Sequence, residues 1–425
     1  MSNNPTWPHK NGTEDIKERQ QRLRPLLGEE AALLYDPPVP MAVLGRFQEC
    51  VTSHVVLPVG IVGPLRIDMG SYELNRRGEV VEKARSEESV YVPLAHTEGG
   101  LSASLLRGSR AASKDAVIRT YVVSDRITRD SCFLFEDTAT ALSFARFVEG
   151  SVKEMASWLK DEANPDYREG PSGSGLLSHH TVLHEVRTHV LGSACHVLYR
   201  FTTGDACGPN MITRTAFSLN QHFLLPGWLK AGMTSPRQIV LEANMGGDKK
   251  PSFAYFQEGH GKTVLAEATL SERTLRRHLQ TTSKDLLSLQ ELGIHGSHAS
   301  GMQSFAFTPA SAIAAVFAAT GQDLGMVGPS SMAHAVITPQ GDSVHMSLRL
   351  PGLEVGTVGG GTSLPHARAH LKLMGCLGSG KVYRFAQIVA AAALCLEISA
   401  SASMASRGSQ NFFEAHLEYG GERSI

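Results

Sequence analysis

The twenty residues from Phe385 to Met404 constrain this chain more than any other stretch. They read FAQIVAAAALCLEISASASM, alanines and large aliphatics with no glycine and no proline. A segment this apolar either folds as a helix enclosed by protein or crosses a bilayer. Gln387, Glu397 and several serines within the run argue for the enclosed helix. Such a helix needs a sizeable core around it. A composition of 42% hydrophobic and 19% charged residues can supply one.

With 425 residues the chain has room for two or three domains. A formal net charge of −1 excludes a strongly basic nucleic-acid binder or a partner of anionic membrane surfaces. Six scattered cysteines with no CxxC argue against a zinc ribbon or a disulfide scaffold and suit a reducing compartment. The opening MSNNPTWPHKNGTED lacks an apolar signal core, so a soluble cytoplasmic protein is expected. His180 and His184 stand four apart, with His179 and His189 nearby. Without an acidic third ligand at helical spacing they read as polar strand or loop histidines, and no metal is expected.

In chain order, Glu14 to Leu34 has helical spacing and ends at Pro37, Pro38 and Pro40. Val55 to Asp68 reads as a strand with a close-approach loop, and 69–88 as an exposed hairpin or flap. Ala116–Val123 and Cys132–Phe135 read as separate strands, with DRITRD between them. Thr138–Glu162 has helical spacing, Asn164–Ser178 is a loop, and Thr181–Arg187 and Ser193–Phe201 alternate as paired strands. A helix from Met211 to about Leu225 completes a small antiparallel α+β unit. Further on, Ile239–Ala243 and Thr263–Thr269 read as strands, and Glu272–Leu292 as a helix capped by Ser271. Ser311–Thr320 is a helix stopped by Gly321, and a hairpin turns at Gln340-Gly341. Beyond the apolar helix lies a polar tail.

One carboxylate stands out. Glu98 lies between an apolar run (Val90, Val92, Leu94) and two glycines, before a helix carrying Arg107 and Arg110. A carboxylate at such a turn, partly desolvated, becomes a usable proton donor near neutral pH; a solvated surface turn is the alternative.

Five short segments follow one another: HTEGG (96–100), GDACGPNM (204–211), GGDKKP (246–251), GQD (321–323) and GTVGGGT (356–362). Together, in this order, they resemble the 3-hydroxy-3-methylglutaryl-CoA (HMG-CoA) reductase family, nearest its eukaryotic-type class, from about Leu57 to Ser406. The resemblance implies an α+β protein. A large mixed α/β substrate domain (46–129 and 241–406) would carry an inserted ferredoxin-like cofactor domain (130–240). A helical N-terminal segment (1–45) and a C-terminal tail (407–425) would flank them.

It further implies an NAD(P)H-dependent oxidoreductase that takes an acyl-CoA thioester to an alcohol by two hydride additions. NADPH is the expected cofactor, with NADH as the alternative. No Rossmann GxGxxG is present. Asp205, Asn210, Met211, Gly359, Gly360, Gly361 and Thr362 match the family's cofactor loops. Successive backbone N–H groups in glycine-rich turns suit phosphates or a carboxamide, although GTVGGGT also reads as a tight structural turn. Lys249 matches the lysine that stabilises charge on the reacting oxygen. Glu98 matches the glutamate that exchanges a proton with that oxygen, and Asp323 the aspartate coupling the two. Arg129 matches the arginine that meets the substrate carboxylate, with Asn244 and Lys250 also toward substrate. The family builds its site across a dimer interface, so a homodimer or higher homo-oligomer is expected.

The pattern also fails in places. The family's histidine that protonates the departing thiolate falls on Phe413, and an earlier one on Gly408; His416 is the nearest candidate. Its serine before the GGDKK segment falls on Glu242, which would repel an anionic carboxylate. Its asparagine before the aspartate falls on Ser311. Three readings stay open: a working HMG-CoA reductase with a displaced acid, a reductase-fold enzyme for another thioester or an aldehyde, and a non-catalytic homologue.

Overall fold

The computed structural model describes residues 13–14, 16–18, 20–21, 39–75, 78–161, 164, 166, 177–178 and 180–420. The expected helix Glu14–Leu34 and loop Asn164–Ser178 lie largely outside the described residues, as does most of the N-terminal segment 1–45.

The first two strands, β1 (Val59–Leu74) and β2 (Val80–Ala95), form a long hairpin, paired from Val59 opposite Ala95 to Leu74 opposite Val80. The expected flap at 69–88 is the far end of this hairpin. Helix α1 (Leu101–Asp115) follows, started by Gly100 at φ 81°, a left-handed conformation that favours glycine. Strand β3 (Ile118–Leu134) comes next, one unbroken strand where the sequence suggested two. DRITRD carries no glycine or proline to break it, and neighbours on both sides hold it extended.

Those neighbours change along β3. Arg119–Arg126 pairs with β7 (Gly261–Ser271), whereas Ile127–Leu134 pairs with β5 (Ala194–Thr202). One strand therefore serves two cores. The larger core gathers β1, β2, β7, β9 (Ser343–Leu353) and the helices packed on them. The smaller gathers residues from Ile127 to Leu241 and is rich in aromatics, with Phe133, Phe135 and Trp228 each in ring contact with Phe144.

Around the smaller core the order is strand, helix α2 (Thr138–Gly150), strand β4 (Val182–Leu191), β5, helix α3 (Pro209–Ser218) and strand β6 (Gln238–Leu241). The strands lie in the order β4-β5-β3-β6, all antiparallel, which is the ferredoxin-like arrangement. The expected helices here are interrupted. Thr138–Glu162 breaks after Gly150 and resumes as Val152–Trp158. Met211–Leu225 widens to a π-turn over Leu219–Leu224.

The larger sheet runs β2-β1-β3-β7-β9-β8, with β8 at His334–Gln340. Only β1 and β3 are parallel in it. Glu272–Leu292 is not one helix. Ser271 caps a short turn as expected, but Gln280 (φ 55°) breaks it, and α4 (Ser283–Ala299) restarts under a Thr282 cap. Helix α5 (Pro309–Thr320) ends on Gly321, and α6 (Pro365–Leu373) follows the last glycine-rich turn.

The apolar run is α7 (Val382–Ala405), enclosed by α1, α5 and the sheet. Its length and hydropathy would let it cross a membrane, but 83% of its most apolar window is buried inside the protein. Its polar exceptions are anchors. Gln387 accepts from Gly70 N (2.9 Å) and Thr120 Oγ1 (3.0 Å) and donates to Gly70 O (2.9 Å). Glu397 accepts from Phe307 N (2.9 Å) and from Thr308 N and Oγ1 (2.9 and 2.7 Å). Helix α1 crosses so close that a side chain at Gly108 would collide with the Cys395 carbonyl. The polar tail is itself partly helical, as α8 (Gln410–Gly420).

Candidate active site

Four of the five segments converge. The loop after β6 folds tightly: Glu242, Asn244 and Lys249 all adopt positive φ (70°, 70° and 56°), which is costly without glycine and marks a loop held by its surroundings. It presents Lys249 to Asp323 at the end of α5, Nζ to Oδ2 2.8 Å. Asp323 Oδ1 also accepts from Gly325 N (2.9 Å), which fixes its rotamer. The hydrogen bond that Lys249 donates to Asp323 holds the pKa of its ammonium above the ordinary value, so the lysine stays charged. Both side chains are close to half exposed, leaving the ammonium free to meet a ligand.

Behind this pair sits the 204–211 loop. Cys207 is half-buried there, and desolvation pushes its thiol pKa up, with the charge on Glu354 adding to the effect. Thr357 N donates to Asp205 O (2.8 Å), and a Cβ on Gly356 would strike Cys207 N. Gly361 and Gly321 pack backbone to backbone, so neither tolerates a side chain. Gly359 and Gly360, by contrast, are exposed with positive φ and open space where a Cβ would point.

Several expected ligand groups are engaged by the chain itself. The Asp205 carboxylate accepts from Gly380 N (2.7 Å), Lys381 N (3.0 Å) and Val382 N (3.1 Å), capping the start of α7. Thr362 Oγ1 donates to Gly359 O (2.6 Å). Asn210 is exposed and Met211 half-buried at the start of α3, whose first turn has no side-chain cap. Asn244 is exposed, and Lys250, also exposed, donates to Asp248 O (3.0 Å).

Arg129 departs furthest from expectation. Its side chain is 4% exposed and its Nη1 donates to Glu242 Oε2 (3.0 Å) and Asp248 Oδ2 (3.1 Å). Glu242 does not simply repel a carboxylate; it occupies the place beside the guanidinium.

Glu98 lies elsewhere. It is exposed, so the desolvated pocket expected around it is not made by this chain alone. It lines a cleft of about 740 Å³ with Arg107, Thr308, Ser311, Asn411 and His416. The structure thus brings Glu98 and His416 together, and Lys249 and Asp323 together, but not the two pairs with each other. Phe413 is exposed on α8, and His416 Nδ1 bonds Phe412 O (2.8 Å).

Sequence reasoning missed a group of buried charges under the lysine loop. Lys262 Nζ lies 3.5 Å from Asp125 Oδ1, both almost fully buried, and Tyr383 Oη donates to Asp125 Oδ2 (3.0 Å). His260 and Glu354 are fully buried 3.5 Å apart, with Tyr255 stacked on the imidazole. The available signal was charge inside apolar alternation: Lys262 opens β7 and Glu354 follows β9. Among the described residues no group of three His, Cys, Asp or Glu could hold a metal ion.

Residues 15–421 match the family model for hydroxymethylglutaryl-coenzyme A reductase. The 3-hydroxy-3-methylglutaryl-coenzyme A reductase of Pyrococcus horikoshii is 32% identical over 87% of this chain and 83% of its own. That of Aeropyrum pernix is 33% identical over 85% and 79%. Among solved structures, a Streptococcus pneumoniae 3-hydroxy-3-methylglutaryl-CoA reductase bound to NADPH superposes with a TM-score of 0.64. It covers 93% of this chain and 87% of that one at 16% identity. The chain belongs to the hydroxymethylglutaryl-CoA reductase family and is an oxidoreductase of that type.

Proposed function

We propose that this protein reduces an acyl-CoA thioester of the hydroxymethylglutaryl type to an alcohol, using NADPH. The observation that carries the reading is the Lys249–Asp323 pair, a fixed ammonium half open to a ligand between glycine-rich loops. Hydride addition to a thioester or aldehyde carbonyl leaves negative charge on oxygen. A preorganised ammonium stabilises that charge more in the transition state than in the ground state. Asp323 keeps the ammonium protonated and aimed.

NADPH, when bound, supplies the hydride. The residues that fit it are the uncapped first turn of α3, with Asn210 and Met211, and the open backbone at Gly359 and Gly360. A free helix N-terminus and exposed N–H groups suit its phosphates. Asp205, Gly361 and Thr362 shape these loops rather than touch the cofactor. We place the enzyme in the cytoplasm, as expected of a soluble chain whose apolar helix is enclosed.

Glu98 exchanges the proton with the reacting oxygen, and His416, in the same cleft, protonates the departing thiolate. Both lie away from Lys249 in one chain, so we infer a homodimer in which one subunit's Glu98 cleft faces the other's Lys249 loop. Exposed Leu292, Ile294, Val55 and Ile61 supply apolar surface for such an interface. The test is NADPH oxidation against a panel of acyl-CoA thioesters and their aldehydes, with Lys249→Ala and Glu98→Gln subunits prepared separately and then mixed. Thioester-dependent oxidation, lost in each variant and partly restored on mixing, is the expected result. Undiminished turnover by both variants would overturn the assignment, and inactive mixtures would overturn the shared site.

A further inference from the structure

We infer that Tyr255 is a positioning residue for Lys249: its hydroxyl fixes the carbonyl of Gly247, two residues before the lysine, while His260 fixes its ring. The inference deepens the proposed function and rests on Lys249 stabilising charge on the reacting oxygen.

The lysine loop needs support from outside. Glu242, Asn244, Gly247 and Lys249 all have positive φ, and three of these four are not glycine. Such backbone persists only where its surroundings over-determine it. Asp130 holds the start of the loop, its carbonyl accepting from Glu242 N (2.8 Å) and its carboxylate from Met245 N (3.2 Å). Tyr255 holds the end that carries Lys249. It lies in a short helical turn, Ala254–Glu258, and its Oη donates to Gly247 O. The same carbonyl accepts from Lys250 N (3.0 Å), closing a turn around Asp248 and Lys249. The tyrosine thus ties that turn to a buried side chain, and the lysine leaves it toward Asp323, 2.8 Å from Nζ. The fit is close: a Cβ on Gly247 would strike both the hydroxyl and the ring of Tyr255.

The hydroxyl keeps its proton. Burial, with the charge on Glu354 adding to it, holds the Tyr255 pKa well above the ordinary value, so the donor persists at neutral pH.

His260 accounts for the fixed ring. It is fully buried and stacks on Tyr255, with centroids 4.5 Å apart and planes 11° apart. Neither imidazole nitrogen has a hydrogen-bond partner among the described residues. A buried polar ring without such partners is costly. What it offers in return is its face to Tyr255 and its charge to buried Glu354, 3.5 Å away. Both supports are tied down by backbone, His260 N to Pro351 O (3.0 Å) and Glu354 N to Ser330 Oγ (3.0 Å). Gly352, between Pro351 and Leu353 on β9, packs on the tyrosine so closely that a Cβ there would lie 3.3 Å from Cδ2.

Tyr255→Phe tests this with little risk to the fold. The ring keeps its stack on His260, and Gly247 O keeps Lys250 N, so no buried acceptor is stranded. Thioester-dependent kcat is expected to fall about 10-fold, the worth of one hydrogen bond. KM for thioester and NADPH should stay unchanged, because Lys249 acts on charge that develops in the transition state. In a Lys249→Ala background, followed by single-turnover NADPH oxidation, the same substitution should cost nothing more. A purely structural role would cost the same factor in both backgrounds. Hydrogen exchange supplies a readout without turnover: amides of 242–250 should exchange faster in Tyr255→Phe while the rest of the chain is unchanged. A wild-type kcat in Tyr255→Phe, an equal loss in both backgrounds, or unchanged exchange overturns this inference and leaves the reductase reading standing. If the wild-type enzyme oxidises NADPH with no thioester or aldehyde, the reductase reading falls and this inference with it.

Discussion

Arg129, on β3, is bonded to Glu242 and Asp248 of the loop that carries Lys249, and the surroundings of the two cations could hardly differ more. Arg129 is closed in, its Nη1 shared between Glu242 and Asp248, and almost out of reach of solvent. Lys249 has one partner, Asp323, and is close to half exposed. Burial makes the first pair a lock, because removing either partner strands a charge in a poor solvent. Exposure makes the second a tool, since an ammonium in contact with water can exchange its partner for a ligand's oxygen at little cost to the fold. The same residue types thus divide between stability and chemistry according to depth.

The most severe way to test this division is Arg129→Met. It leaves two partly buried carboxylates without a cation, and should cost up to about 3–5 kcal/mol of stability. Thermal and urea unfolding measure it, and a loss below 1 kcal/mol would mean that the cluster is not the lock described.

Lys249→Ala is the converse case. Turnover should fall by about 10²–10³, while stability changes by no more than about 1 kcal/mol. The pH dependence sharpens it. Asp323 raises the folded pKa of Lys249 above the ordinary 10.5. The ion pair therefore contributes fully below the unfolded value and is lost only as pH rises through the folded one. A kcat profile should show no lysine limb between about pH 6 and 10. An alkaline fall centred near pH 8 that disappears in Lys249→Arg would contradict this.

His416→Ala tests the other cleft. Loss of a general acid costs about 10²–10⁴. A thiol pKa near 8.5 makes protonation of the leaving thiolate helpful rather than essential, so the effect should sit near the lower bound. Thioester reduction should slow by about 10² while aldehyde reduction is spared. Phe413→His should speed the thioester step selectively. Equal effects on both substrates would remove His416 from the thiolate's path.

Asp205→Ala is the mildest. Its carboxylate caps α7 through three backbone N–H groups, so about 1–2 kcal/mol of stability should go. Direct loss of cofactor affinity at constant Tm would instead return the carboxylate to the cofactor.

The elements that could be read from sequence share one property: their signal is local. The run at 385–404 declares an enclosed helix by composition, and Gly321 stops α5 where a left-handed residue is needed. The hairpin at Gln340-Gly341 declares itself by alternation about a turn. Misreadings occurred where neighbours overruled local preference. β3 crosses DRITRD without a break because β7 and β5 hold its two halves. The Glu272–Leu292 pattern breaks at Gln280, where the chain turns left-handed despite unbroken helical spacing.

Residue type and order alone determined the family, the set of five charged and glycine-rich segments, and the chemistry a lysine with two carboxylates can perform. The tertiary structure decided which of those charges are available. Asp205 is spent on a helix that begins 177 residues after it. Glu242 lies on Arg129 across 113 residues, and Glu98 opens on a cleft that Lys249 does not line. The reason is physical. A side chain's type fixes its charge and reach, but whether that charge meets water, a ligand or another residue depends on burial, and burial is set by contacts between segments remote in sequence.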